Sequence, residues 1–233
     1  MKVNLLICSI EGVFRNFTFF CLMLFCVVDI SAQATLNYFE DFEGTNNWTF
    51  ANGTQANKWH VGSATFTGLG SKSLYISNDN GVTHGYNGNS ASIVHAYREI
   101  TIPSGTTNVT LSFDWKARGE LLLGLGLIYF DYLQVWLVPS TYNPTAGSNI
   151  SASSSRIQIS GSFVNQNDFT SFTSTQNLSS FAGQNMRLIF EWTNDGSVAN
   201  LPPAAIDNIS LNVNSCIINP SSTTTGRNKS EKF

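Results

Sequence analysis

Asp207 stands in the run Pro203-Ala204-Ala205-Ile206-Asp207-Asn208-Ile209-Ser210-Leu211. Read as a strand, alternation puts Ala205, Asp207, Ile209 and Leu211 on one face, so a carboxylate occupies a position patterned for an apolar side chain. Burying a lone carboxylate is costly unless a cation or several donors compensate it. Far upstream, Tyr38-Phe39-Glu40-Asp41-Phe42-Glu43-Gly44 supplies a second acid-rich strand. Pairing of these two ends of the folded region, with a calcium-type ion between them, would satisfy both.

Other chemistries find less support. His60, His84 and His95 are scattered without the His-Glu-x-x-His spacing of a zinc hydrolase. His60, beside Trp59, reads as a hydrogen-bonded structural histidine. A Gly-x-Ser-x-Gly elbow is missing. The run Gly68-Leu69-Gly70-Ser71-Lys72-Ser73 lacks the Gly-Lys-Ser/Thr order of a phosphate loop and is followed by no helix pattern. A glycosidase needs two carboxyl groups about 5–5.5 Å apart for retention or about 6.5–9.5 Å for inversion. Asp114, Glu120, Asp131 and Glu191 qualify by residue type, yet the Glu-x-Asp-x-x-Glu run of jelly-roll laminarinases is missing. The expectation is a protein without catalysis.

A second group could hold a sugar. In three segments alternation separates an apolar face from a mixed one: Leu111, Phe113 and Trp115; Leu133, Val135 and Leu137; Leu188, Phe190 and Trp192. If these strands are neighbours, the opposite face gathers Trp136, Arg187, Glu191, Lys116 and Asp114. An indole to stack on, ringed by fixed donors and acceptors, suits a glycan. The same five residues also fit a solvated sheet face with cross-strand charge pairs.

Strands must position these groups. Candidates are Leu36 to Phe42, Lys58 to Val61, Ser73 to Ser77, Ser92 to Ile102, Asn108 to Lys116, Tyr132 to Val138, Arg156 to Phe163, Asn185 to Thr193 and Ala204 to Val213. Turn residues separate them, as at Asn52-Gly53, Asp79-Asn80-Gly81, Asn87-Gly88, Pro103-Ser104-Gly105 and Asp195-Gly196. No window keeps an apolar period of 3.6, and only Thr175 to Gly183 could form a short helical turn. Charged residues are 12% of the chain, about half the usual share, with Ser, Thr, Asn and Gly in their place. The fold class is therefore all-β: an antiparallel β-sandwich of jelly-roll type. Leu121 to Phe130 (LLLGLGLIYF) alternates poorly and is too short to span a bilayer. It reads as a buried strand, or else as an apolar loop that meets a partner.

Residues 1–34 read as a signal peptide: Lys2 and Arg15, an apolar run from Phe17 to Val28, then small residues around Ser31-Ala32-Gln33-Ala34. An uncleaved anchor is the alternative. Removal of this segment takes Cys8, Cys21 and Cys26 with it and leaves Cys216, so no intrachain disulfide can form and a Cys/His zinc site finds little support. A domain over residues 35–215 follows, then a polar tail over 216–233 that reads as disorder or a truncated linker. Net charge is −3 overall. Thr35 to Ser215 holds seven Lys/Arg against twelve Asp/Glu, and no basic stripe invites nucleic acid.

The order of these motifs resembles a known family. Glu40-Asp41-Phe42-Glu43-Gly44, Trp48, Gly70-Ser71-Lys72-Ser73-Leu74-Tyr75-Ile76-Ser77, Leu111-Ser112-Phe113-Asp114-Trp115-Lys116, Asp131-Tyr132-Leu133-Gln134-Val135, Arg187-Leu188-Ile189-Phe190-Glu191-Trp192 and Ala205-Ile206-Asp207-Asn208-Ile209 follow one another from Tyr38 to Val213. That series resembles the MAM-like and cleaved-adhesin jelly rolls of secreted Bacteroidetes proteins, close in fold to galactose-binding-like domains. The resemblance implies a non-catalytic, secreted or cell-surface module that binds glycan or a cell-surface protein. It also implies a structural calcium held by Glu43, Asp207 and carbonyls near Ser71 and Lys72. The alternative is that Glu43 and Asp207 accept backbone donors with no ion. Cys216-Ile217-Ile218-Asn219-Pro220 resembles a junction to a fibronectin-type repeat, and the apolar Leu121 to Phe130 stretch departs from the family pattern.

Overall fold

The computed structural model describes residues 37–106, 108–123, 127–176 and 179–214. The expected signal peptide, Cys216 and the polar tail lie outside the described residues. The strands are β1 (Asn37–Glu40), β2 (Thr49–Ala51), β3 (Lys58–Gly62), β4 (Ser73–Ser77), β5 (Ser92–Thr101), β6 (Asn108–Ala117) and β7 (Glu120–Leu123), followed by β8 (Leu127–Pro139), β9 (Ile157–Gln158), β10 (Gln166–Gln176), β11 (Asn185–Asn194) and β12 (Ala205–Asn214). A 3-10 turn, Ser179–Phe181, precedes β11.

All pairings are antiparallel and build two sheets, an all-β sandwich of jelly-roll type. One runs β10-β6-β12-β4-β3, with β1 also on β12; the other runs β2-β5-β11-β8-β7, with β9 on β8. The alternations in β6, β8 and β11 do what their spacing predicts. Leu111, Phe113, Leu133, Val135, Leu137, Leu188, Phe190 and Trp192 all join the core between the sheets. Phe113 is the hub of that core, in ring contact with Phe163, Phe172 and Phe190.

Three expectations about strands need correction. Arg156 to Phe163 is not a strand: only Ile157–Gln158 pairs with β8, and Phe163 makes an isolated bridge to Leu133. The edge strand β10 is instead supplied by Gln166–Gln176, part of which the sequence reads as a helical turn. Third, Asp207 does not share a face with Ile209 and Leu211. The β12–β6 register slips between Asp207 and Ser210, and Asn208 takes a left-handed φ of 49°. This β-bulge shifts the alternation by one residue, so Ile206, Ile209 and Leu211 face the core while Asp207 faces outward.

Leu121 to Phe130 is also not a buried strand. Leu121–Leu123 of β7 pairs with Leu127–Tyr129 of β8, and Leu122, Leu127 and Ile128 are about half exposed.

Candidate functional site

The two ends of the folded region do lie side by side. β1 runs along β12 from Asn37 opposite Asn212 to Glu40 opposite Ile209, while β4 takes the other half of the same edge, pairing at Ala205 and Ile206. β1 therefore exits, and β4 enters, at the level of Asp207 and Asn208. The segment after β1 turns there through Phe42, which holds a φ of 60° although it has a side chain and is buried. Two non-glycine residues in left-handed conformation thus flank one spot, a conformation that costs about 1–3 kcal/mol each and clusters at functional sites.

Glu43 reaches from this turn to the loop before β4. Its carboxylate accepts the Ser71 amide (2.6 Å), the Ser71 hydroxyl (2.6 Å) and the Lys72 amide (2.7 Å). These bonds, the Ser71 hydroxyl foremost, hold its pKa below the usual carboxylate range. The contacts at Ser71 and Lys72 are thus made by N–H groups and not by the carbonyls that the resemblance implies. The Thr67 carbonyl borders the same space at Gly70: a side chain placed there would lie 2.9 Å from Glu43 Oε1 and 3.6 Å from Thr67 O.

Asp207 lies under the same loop, 2% exposed. Its Oδ2 accepts the Thr67 amide (3.0 Å) and its Oδ1 the Asn208 amide (2.8 Å). Burial foremost, helped by the charges of Asp114 and Glu43, raises its pKa to about 6 against the two amides. Asp114 is tied in through Asn208 Nδ2, which donates to its Oδ2 at 2.9 Å. Among the described residues the ion pairs are His95–Glu191, Arg98–Glu40 and Arg187–Glu99, so Glu43, Asp114 and Asp207 are in none of them. Glu40 is committed elsewhere, to Arg98 (2.9 Å) and the Trp48 indole (3.3 Å).

The five residues expected to share a sugar-binding face are divided. Asp114 and Lys116 lie on β6 in one sheet; Trp136, Arg187 and Glu191 lie on β8 and β11 in the other. That second face is covered. Segment 140–156 packs Ile150 and Tyr142 against Trp136, Val138, Ile189 and Tyr97. Glu191 is sealed beneath it, bonded to His95 Nε2 (2.9 Å), the Ile150 amide (2.7 Å) and Asn149 Nδ2 (3.2 Å). Arg187 is spent on Glu99, the Tyr142 carbonyl and Asn143. Trp136 Nε1, His95 Nδ1 and His60 Nε2 are buried without a partner among the described residues.

A second acidic group was not foreseen as a unit. Glu120, Asp131 and Asp195 bring carboxylate oxygens within 4.8 Å of one another. Asp131 is fully buried, accepts the Tyr86 hydroxyl (2.6 Å) and the Asp195 amide (3.0 Å), and has its pKa raised to about 6, chiefly by burial. From the sequence, Asp195 reads only as half of an Asp-Gly turn. Close by, a cleft of about 250 Å³ is lined by Gln55, Ser92, Ile93, Gly147, Thr193 and Asp195 among others.

No family model matches the sequence, and no curated protein matches it. Among solved structures, the chain is similar to the enzymatically active domain of tailspike protein 4 from Bacteriophage CBA120, at 17% identity and a TM-score of 0.44 over 74% of this chain and 20% of that one. It is similar to the tandem CBM22 domains of Xyn10C from Paenibacillus barcinonensis, at 15% identity and a TM-score of 0.46 over 79% of this chain and 48% of that one. It is also similar to the K1 cleaved adhesin domain of Lys-gingipain from Porphyromonas gingivalis, at 13% identity and a TM-score of 0.42 over 78% of this chain and all of that one. The chain thus spans about a fifth of the tailspike domain and about half of the tandem module.

Proposed function

We propose that this chain is a non-catalytic, exported binding module whose sandwich is clasped by a structural calcium ion and which takes glycan or protein ligands at the cell surface. The observation that carries the reading is the convergence of Glu43 and Asp207 where β1, β4 and β12 meet, with Asp114 beside them and no cationic side chain paired to any of the three. The donor set is all oxygen, which suits a hard divalent cation. Glu43, Asp207 and the Thr67 carbonyl would hold it. The ion would offset the repulsion among the carboxylates and tie the first strand to the last. This is the arrangement that the MAM-like and cleaved-adhesin resemblance implies, with Thr67 in place of the Ser71 and Lys72 carbonyls.

The test is thermal. A site held at one hundred times its dissociation constant adds about 2.7 kcal/mol, roughly 5–10 °C for a domain of this size. Chelation lowers the melting temperature by that amount, and Asp207→Ala abolishes the difference. Identical melts with and without chelator would remove the clasp. For the ligand, the cleft beside Thr193 offers hydroxyl, amide and carboxylate groups to a sugar. Glycan-array binding should be lost with Gln55→Ala and Thr193→Ala.

A glycosidase is the second reading, and the grouping of Glu120, Asp131 and Asp195 is what favours it. Asp131 with its raised pKa would serve as the acid. Against it, Asp131 is sealed from solvent and already bonded twice. Polysaccharide hydrolysis abolished by Asp131→Asn would establish this second reading and overturn the first.

A further inference from the structure

We infer that the cleft beside Thr193 takes an amino sugar, with the ammonium group of the ligand on Asp195. The inference rests on the glycan reading above and names the chemical class that this cleft selects.

Size and lining set the first limit. The cleft holds about 250 Å³, below the roughly 300–1,000 Å³ of sites for drug-sized ligands. One terminal ring of a glycan fits that space. No aromatic residue lines it, so neither a stacking platform nor an aromatic cage for a quaternary ammonium is present. Recognition falls to polar groups. Gln55 Oε1 accepts the Ile93 amide (3.4 Å), and its Nε2 has no partner among the described residues. Thr193 Oγ1 is held by Asn149 Nδ2 (2.8 Å), which is itself anchored on Glu191 (3.2 Å).

Charge sets the second limit. Among the described residues lining the cleft, Asp195 is the charged one, and it is exposed. Its Oδ1 accepts the Ser197 amide (2.9 Å) and hydroxyl (2.8 Å), while its Oδ2 accepts no hydrogen bond among the described residues. Glu120 and Asp131 bring carboxylate oxygens within 4.8 Å of it, and none of the three acids is in an ion pair. Burial foremost, helped by the charges of Asp195 and Glu120, raises the Asp131 pKa, so the acids repel one another here. A cationic ligand relieves that repulsion and an anionic sugar adds to it. A primary ammonium also brings three N–H donors to oxygens that need them. A lysine side chain carries the same group, but its flexible four-carbon stem has no counterpart for the amide of Gln55 or the hydroxyl of Thr193. A sugar ring has hydroxyls for both.

The test is titration calorimetry of the full chain with a glucosamine tetramer and with the same tetramer fully N-acetylated, at low salt and about pH 6, where amines are protonated. The two probes differ in whether their nitrogens carry charge. The expected result is at least about tenfold tighter binding of the amine form, a preference lost in about 1 M salt. Asp195→Asn removes the preference and leaves binding of the acetylated probe unchanged. Its melting temperature is not lowered, because the amide oxygen still serves Ser197 and one repelling charge is gone. Equal binding of the two probes, a preference that outlives Asp195→Asn, or one that appears only with added calcium each overturns the inference, the last by making a metal the cation. So does a lysine-rich peptide that binds as tightly with the same dependence on Asp195, which would make a protein the ligand. Neutral glycans that bind on the array and are lost with Gln55→Ala and Thr193→Ala would leave the glycan reading standing without this one. An array that binds no glycan at all removes both.

Discussion

Asp207 and Asp114 stand directly opposite one another on β12 and β6, two carboxylates in cross-strand register. Like charges so placed are destabilising. Burial first, then Asp114 and Glu43, push the Asp207 carboxyl up to about 6, and burial alone does most of the same to Asp131. An unfolded aspartate titrates near 3.9. Between about 4 and 6 the native state therefore binds more protons than the unfolded state, so stability falls as pH rises through that window. In chelator, the melting temperature should climb as pH is lowered from about 7 to about 5. Excess calcium should cancel the Asp207 share of that climb, and Asp207→Asn in chelator should leave only the share of Asp131. Flat melting curves over that range in chelator would contradict the assignment.

Gly70 sits against the clasp. An alanine methyl there would lie 2.9 Å from Glu43 Oε1, and the group that must yield is the end of a flexible side chain. Gly70→Ala should thus cost less than about 1 kcal/mol in chelator, because no backbone has to move. It should nonetheless displace the carboxylate and weaken calcium at least about tenfold, read by titration calorimetry. Unchanged affinity would mean that Glu43 does not touch the ion.

Much of this architecture is written in local patterns, and what is missing has local reasons. Leu111 with Phe113, Leu133 with Val135, and Leu188 with Phe190 declare their strands because each run alternates without a break. Strand β10 is silent because Gln166–Gln176 lies at a sheet edge and carries only Phe169 and Phe172 as large apolar residues, three apart. The acids at both ends of the domain are legible as a pair because Asp207 breaks an apparent apolar alternation and Glu43 lies in an acid-rich segment. The bulge at Asn208 is not, since it changes the phase of one strand without an Asn-Gly signal. Register is equally invisible, which is why Asp114 reads as part of a sugar-binding face and turns out opposite Asp207. Trp136 was read as open for a related reason. Segment 140–156 looks like a polar loop, yet Tyr142 and Ile150 are enough to hold it over the sheet.

Beneath that segment, Glu191 and His95 are both sealed from solvent. Removing one partner of such a pair typically costs about 3–5 kcal/mol, because the other is left buried and uncompensated. Glu191→Ala should lower the melting temperature by roughly 6–20 °C. The Ile150 amide and Asn149 would also lose their acceptor, so segment 140–156 should become the first protease-sensitive site. A variant that melts normally would show the pair to be dispensable, and one that lost a hydrolytic activity without losing stability would give Glu191 a chemical role.

Gly119 makes the bend that sends the chain from β6 into β7. It holds a φ of 52°, and an added methyl would lie 2.2 Å from the backbone oxygen of Asp131. Unlike the contact at Gly70, this one is with main chain. The strand pair Glu120 opposite Asp131 would have to separate before alanine could fit. Left-handed strain and overpacking each cost about 1–3 kcal/mol, so Gly119→Ala should destabilise by about 3 kcal/mol or more. The damage should begin at the β7–β8 pair: amide exchange there should accelerate ahead of β11. Equal protection in β7 and β11, at reduced stability, would instead mean that the β7–β8 pair opens only with the whole sandwich.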